Sequence, residues 1–230
     1  MAEPITSSSV EFAANGGTGP GYLSRPQSDG QYPGIVLIQE WWGIDDHIKD
    51  VTNRFAGEGY AVLSPDLFHG EVTSEPSEAM KLIQGMDRDR ATKELNGAVA
   101  YLKSQPFCNG KVGIIGYCMG GGLSISTACS NSDLDACVVY YGGHPDPLDL
   151  VENMGCPLLG IYAEHDERVT SGVADLQEAL DRHGKQYDVR VYPGTQHAFF
   201  NDTRPEIYNA EASKDAWERT LAFFSANLSV

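Results

Sequence analysis

Basic residues are scarce in this chain: 16 Lys and Arg stand against 32 Asp and Glu, a formal net charge of −16. Nucleic acid and anionic membrane surfaces are gripped by clustered Lys and Arg, so neither is expected as a partner. Long apolar runs are missing as well, and none approaches the roughly 20 residues of a membrane span. The N-terminus, MAEPITSSSVEFAANGG, has neither the basic nor the apolar stretch of a secretory signal. The five cysteines (108, 118, 129, 137 and 156) are odd in number and include no C-x-x-C pair. That argues against a disulfide framework and for free thiols in a reducing compartment, so the expected location is cytoplasmic. The histidines lack H-E-x-x-H or similar ligand spacing, which leaves no expected metal site. The glycine-rich stretch GIIGYCMGGG (113–122) lacks the Lys-Ser/Thr of a phosphate loop and the G-x-G-x-x-G of a dinucleotide site. No cofactor is expected.

What is present is a composition of 41% hydrophobic and 21% charged residues over 230 positions. This suits one globular domain spanning 1–230 with a sizeable core, a monomer or weak homo-oligomer. Short β-branched runs end in Gly, Pro or Asp and alternate with stretches of helical spacing. The segments at 34–40, 60–66, 111–118, 136–142, 157–166 and 187–194 read as strands. Those between 34 and 163 are apolar almost throughout, as parallel strands covered on both faces are. Ile44, Ile48, Val51 and Phe55 recur at helical spacing, as do Leu95, Val99 and Leu102 within 87–105. Trp217, Leu221, Phe224 and Leu228 predict one apolar stripe on a final helix. The first 26 residues, ITSSSVEF followed by GGTGPGYLSRP, predict an antiparallel hairpin at the sheet edge. The fold class expected is therefore α/β, a mostly parallel, doubly wound sheet with an N-terminal edge hairpin. In such sheets the chemistry gathers beyond the carboxyl ends of the strands.

Gly116-Tyr117-Cys118-Met119-Gly120 stands at such an end and opens a helix. A sharp strand-turn-helix forces its central residue into strained backbone geometry and requires small neighbours two positions away. The helix N-terminus would favour a thiolate at Cys118, and the Met119 N–H would face a developing oxyanion. The alternative is a buried structural thiol among packing glycines. A nucleophile of this kind needs a base and a group to orient it, in the chain order nucleophile, acid, histidine. Asp166 ends the strand PLLGIYAEHD, and His197 follows the strand YDVRVYPG. Taken singly, Asp166 could be a helix cap and His197 a surface histidine; Glu164 and Glu167 are rival acids. Glu40 ends the buried strand GIVLIQE, where an ionised carboxylate is costly unless paired. It could accept the thiol proton of Cys118 at rest, and the N–H of Trp41 would be a second oxyanion donor. A Glu solvated at the strand end is the plainer reading. Trp41 and Phe199, with Tyr141 among further aromatics, could line an apolar substrate pocket.

With these segments in place the sequence resembles the dienelactone hydrolase family: IQEWWG, SPDLF, GKVGIIGYCMGG, YYG, AEHDERV and GTQHAFFN occur in the family's order and spacing. The resemblance implies an α/β-hydrolase fold and a Cys118–His197–Asp166 triad. It further implies Glu40 as the resting partner of the thiol, Met119 and Trp41 as oxyanion donors, and cofactor-free hydrolysis of small lactones or activated esters through a thioester. It also implies two arginines that grip a substrate carboxylate. Here Pro76 and Ser77 stand where the first is expected and Asn201 where the second is, with Arg204 three residues on. Without a charged clamp most recognition of a carboxylated lactone is lost. Two other readings keep the fold: a non-catalytic ligand-binding protein, or a redox-responsive thiol at Cys118.

Overall fold

The structure is a computed structural model describing residues 4–14 and 16–229. Chain contacts cluster into two compact units, one running through Gly113 and the other Ile114–Ser229. The first holds β1 (Ile5–Ala14), β2 (Gly17–Pro26), β3 (Tyr32–Ile38), α1 (Asp46–Gly57), β4 (Ala61–Pro65), α2 (Pro76–Gly85) and α3 (Arg88–Ser104). Strand β5 (Cys108–Tyr117) runs from the first into the second. There follow α4 (Met119–Ala128), β6 (Ala136–Tyr140), a 3-10 turn over Leu148–Asn153, β7 (Leu158–His165), α5 (Glu167–Thr170), α6 (Val173–Arg182), β8 (Tyr187–Gln196) and α7 (Ala210–Leu228).

In the first unit the strand order is β1-β2-β4-β3-β5. β1 and β2 form the expected antiparallel hairpin, in register from Ile5↔Pro26 to Ala14↔Gly17. β2 is also antiparallel to β4, so of the hairpin's two strands β1 is the one at the edge, and β3 is parallel to β4. Ile35 to Ile38 and Ala61 to Leu63 are fully buried, as the continuous apolar runs require. Helix α1 begins where Asp45 Oδ1 accepts the Ile48 N–H at 2.9 Å, a side-chain cap that satisfies one orphan donor. Its buried face carries Ile48, Val51 and Phe55. Asp87 caps α3 in the same way through the Arg90 N–H at 3.0 Å, and Leu95, Val99 and Leu102 are its buried residues. The sequence spacing did not single out α2, which buries only Ala79.

In the second unit the order is β5-β6-β7-β8, with β6/β7 and β7/β8 parallel. β8 alternates half-buried and exposed residues from Tyr187 to Val191, the pattern of a strand with one wet face. The β7/β8 register shifts between Ala163 and His165. Such irregularities re-aim the side chains that follow, and here Asp166 follows. Helix α7 departs from the expected stripe. Phe224 and Leu228 are buried, but Trp217 and Leu221 are half-buried, and Ser213, Ala216 and Thr220 take the inner face. The polar members are tolerated because they are bonded: Ser213 Oγ donates to the Phe199 carbonyl at 3.0 Å, and Thr220 Oγ1 lies 2.8 Å from the Tyr140 hydroxyl.

Candidate active site

Cys118 links β5 to α4 with φ 56° and ψ −116°, a conformation that costs a non-glycine residue about 1–3 kcal/mol. The turn closes because its neighbours lack side chains. A Cβ on Gly116 would lie 2.0 Å from the Gly120 carbonyl oxygen, and one on Gly121 would lie 2.7 Å from the Tyr140 carbonyl oxygen. The same Tyr140 oxygen accepts the Cys118 N–H at 3.0 Å. The sulfur is thus carried by a half-buried residue at the first turn of α4, with Met119 as the first helical residue. Cys118 is not the fully buried thiol of the alternative reading, whereas Cys108, Cys129, Cys137 and Cys156 are buried. Burial pushes the Cys129 and Cys156 thiols up, to about 12 and about 11, which makes them poor nucleophiles.

Asp166 is 7% exposed. Its carbonyl caps the short helix α5 by accepting from Val169 and Thr170 at 3.0 and 2.8 Å, but its carboxylate makes no capping bond. Oδ2 instead accepts from His197 Nδ1 at 2.5 Å. The rival acids are elsewhere: Glu164 is exposed and accepts the Gly194 N–H at 2.8 Å, and Glu167 is exposed in the first turn of α5. His197 follows β8 directly, and the turn beyond it is fixed by Ala198 at φ 66° and by the Ser213 and Asn209 bonds to the Phe199 carbonyl. Tyr141, itself at φ 38°, packs its ring 5.1 Å from the imidazole.

Burial, the largest single influence on His197, pulls its pKa down; the hydrogen bond to Asp166 and the neighbouring Cys118 sulfur outweigh it and raise the imidazole to about 10. The carboxylate fixes the ring with Nδ1–H toward Asp166. Nε2 is buried and makes no hydrogen bond among the described residues. A nitrogen so placed can exchange a proton with a nucleophile or a leaving group.

Several expected binding residues have a different environment. Tyr141 and Phe199 are 0% exposed and Asn201 is 1% exposed. The two rings pack on each other at 5.8 Å, and Tyr141 forms the wall against the His197 ring. Asn201 Oδ1 is used inside its own turn, accepting from Thr203 N and Oγ1 at 3.1 and 2.6 Å. Arg204, where a substitute for the clamp was considered, directs Nε to Glu206 at 3.1 Å. In the first unit, Glu40 is 2% exposed, so it is not the solvated strand-end carboxylate of the plainer reading. Trp41 is half-buried, its ring 4.8 Å from that of Trp42. No group of three or more metal-ligating side chains occurs among the described residues, and no described helix is long and apolar enough to cross a membrane.

The sequence reading passed over the residues that steady these groups. Ser213 is one, Tyr141 as a wall for the imidazole is another, and Thr170, whose hydroxyl donates to the Ala163 carbonyl at 2.6 Å, is a third. Nothing in their local pattern marks them, although a Ser or Thr on the apolar seam of a helix is a cue to a buried hydrogen bond.

The sequence profile of the Dienelactone hydrolase family matches residues 20–228. The chain is 36% identical over 228 residues to Protein usf of Aquifex pyrophilus, covering 95% of this chain and 98% of that protein. It is 32% identical to a Saccharolobus solfataricus protein with a provisional carboxymethylenebutenolidase name, over 82% of this chain and 87% of the relative. The crystal structure of a provisional dienelactone hydrolase from Klebsiella pneumoniae superposes with a TM-score of 0.89 at 27% identity, covering 97% of this chain and 99% of that one.

Proposed function

Since the chain belongs to the dienelactone hydrolase family and is a hydrolase of carboxylic esters or lactones, we propose that Cys118, His197 and Asp166 perform the hydrolysis through a thioester. The observation that carries this reading is the His197–Asp166 bond of 2.5 Å beside a cysteine held at φ 56°. With its pKa raised to about 10, the imidazole is a strong enough base to hold the proton that Cys118 gives up as the sulfur attacks. The thiolate attacks the carbonyl carbon, and the carbonyl electron pair moves onto the oxygen. The Met119 N–H receives that charge, an effect worth about 3 kcal/mol for a well-aimed donor. As the tetrahedral adduct collapses, the C–O bond to the leaving group breaks and His197 protonates the departing alkoxide. Neutral His197 then takes a proton from water, whose oxygen attacks the thioester and releases the acid and the thiolate. Asp166 keeps the ring oriented and offsets its charge throughout. A thiolate leaves an amide adduct more readily than an amine does, so amides are poor substrates. The roles implied by resemblance for Glu40 and Trp41, as resting thiol partner and second oxyanion donor, are part of the same proposal.

The substrate class proposed is a small lactone or activated ester without a carboxylate. Supporting this are Pro76 and Ser77 opening α2, Asn201 engaged within its own turn, and Arg204 paired with Glu206. A panel of neutral and carboxylated lactones and aryl esters, with mass spectrometry of the intact protein, tests the proposal. The expected result is a covalent acyl adduct on Cys118 with the neutral compounds and no turnover by Cys118→Ala. A fully active Cys118→Ala protein would refute the mechanism, and binding without any adduct would point to the ligand-binding alternative.

A further inference from the structure

The triad acid opens a single short turn of helix. Helix α5 has four residues, too few to repay the cost of nucleating a helix; its own closing bonds are long, Ser171 N–H to the Glu167 carbonyl and Gly172 N–H to the Val169 carbonyl, both at 3.2 Å. Two side-chain bonds tether this stretch, one leaving the helix and one arriving from outside. Thr170 returns its hydroxyl to β7, and His144 Nε2 donates to the Val169 carbonyl at 2.9 Å. The Val169 N–H in turn bonds the carbonyl of Asp166 at 3.0 Å. His144 is therefore one residue removed from the backbone that aims the carboxylate at His197.

The other end of this link is equally constrained. His144 lies two residues after Gly142, where a Cβ would stand 2.3 Å from the Gly121 carbonyl carbon. The segment bearing His144 is thus pressed against the first turn of α4, beside Cys118. Its ring also has a dedicated seat: a Cβ on Gly172 would fall 2.8 Å from Cδ2 and 3.1 Å from Nε2. A ring nitrogen facing a carbonyl must carry a proton, so Nε2 is the donor in this bond. Nδ1 is buried and has no hydrogen-bond partner among the described residues. Tyr162, fully buried with its ring 5.7 Å away, has an O–H that is likewise buried and without one.

We propose that His144 is a positioning residue that ties the turn carrying Asp166 to the turn carrying Cys118, a role that rests on the triad reading above. His144 touches neither substrate nor reacting atoms; it sets the aim of the carboxylate. Small displacements of catalytic groups cost up to ~100-fold in rate.

The test compares His144→Leu, which keeps the bulk and removes the N–H, with His144→Gln, whose amide can still donate to Val169. In His144→Leu, kcat for an aryl ester should fall about 10- to 100-fold with KM unchanged, and His144→Gln should recover most of the loss. The downfield proton resonance of the His197 Nδ1–H should move upfield in His144→Leu and hold its position in His144→Gln. Gly172→Ala crowds the ring while leaving His144 in the chain, and should reproduce the kcat loss and the moved resonance. Wild-type kcat and an unmoved resonance in His144→Leu would overturn the proposal. Equal impairment of the Leu and Gln variants would also overturn it, by reducing His144 to packing. A Cys118→Ala protein with full turnover would strike the triad reading instead, since the resonance reports the link without reference to turnover.

Discussion

Among single residues, His197 has the most consequential environment. Its folded pKa of about 10 lies above the ordinary 6.5, so the folded state binds a proton that the unfolded state releases on passing through pH ~6.5. The stability contributed is therefore complete below pH ~6.5 and is lost as pH rises toward about 10. Replacing Asp166 by Asn should lower the imidazole pKa, and Cys118→Ser should lower it too, because the Asp166 bond is the largest single raising influence and the Cys118 sulfur the next. An NMR titration of the His197 ring reads both shifts, and an unmoved pKa in Asp166→Asn would contradict the assignment. Tyr162→Phe belongs to the same scale. Removing a buried hydroxyl that has no hydrogen-bond partner should leave the urea midpoint unchanged or higher.

At the scale of elements, the β5–α4 turn and helix α7 depend on opposite devices. The turn depends on absent side chains, and Gly116→Ala would place a methyl 2.0 Å from backbone that cannot yield. The expected cost is about 3 kcal/mol or more, visible as a lowered urea midpoint with an unchanged m-value. Helix α7 depends on polar groups that are buried and satisfied. Thr220→Val, which keeps the shape and removes the hydroxyl bonded to Tyr140, should cost about 1–2 kcal/mol by the same measurement. The turn was legible in the sequence because covalent sterics confine it to a few neighbouring positions. The inner face of α7 was not, because Trp217 and Thr220 exchange places according to what β6 and the His197 turn present to the helix.

For the whole molecule, 32 acidic residues against 16 basic ones impose a field of one sign. An anionic substrate is repelled on approach, and salt relieves that repulsion as the screening length falls from about 30 Å near 0.01 M to about 8 Å near 0.15 M. With Pro76, Ser77 and Asn201 where the proposed reading finds no arginine clamp, kcat/KM for a carboxylated aryl ester should rise across that range, while a neutral analogue of equal leaving group should barely respond. Salt independence for both esters would show that the charge is too distant from the site to matter.

The sequence by itself determined the alternation of strands and helices, the edge hairpin, the sharp β5–α4 turn at Cys118, and the places of Asp166 and His197 just beyond strand ends. Each follows from local periodicity, from backbone sterics at glycine, or from the order in which a parallel sheet presents its loops. Only the tertiary structure decided that Tyr141, Phe199 and Asn201 are packed inside, that Arg204 answers Glu206, and that His144 bonds the turn behind Asp166. Those outcomes turn on which surfaces meet across long sequence separations, and packing and hydrogen bonding of that kind leave no period in the chain.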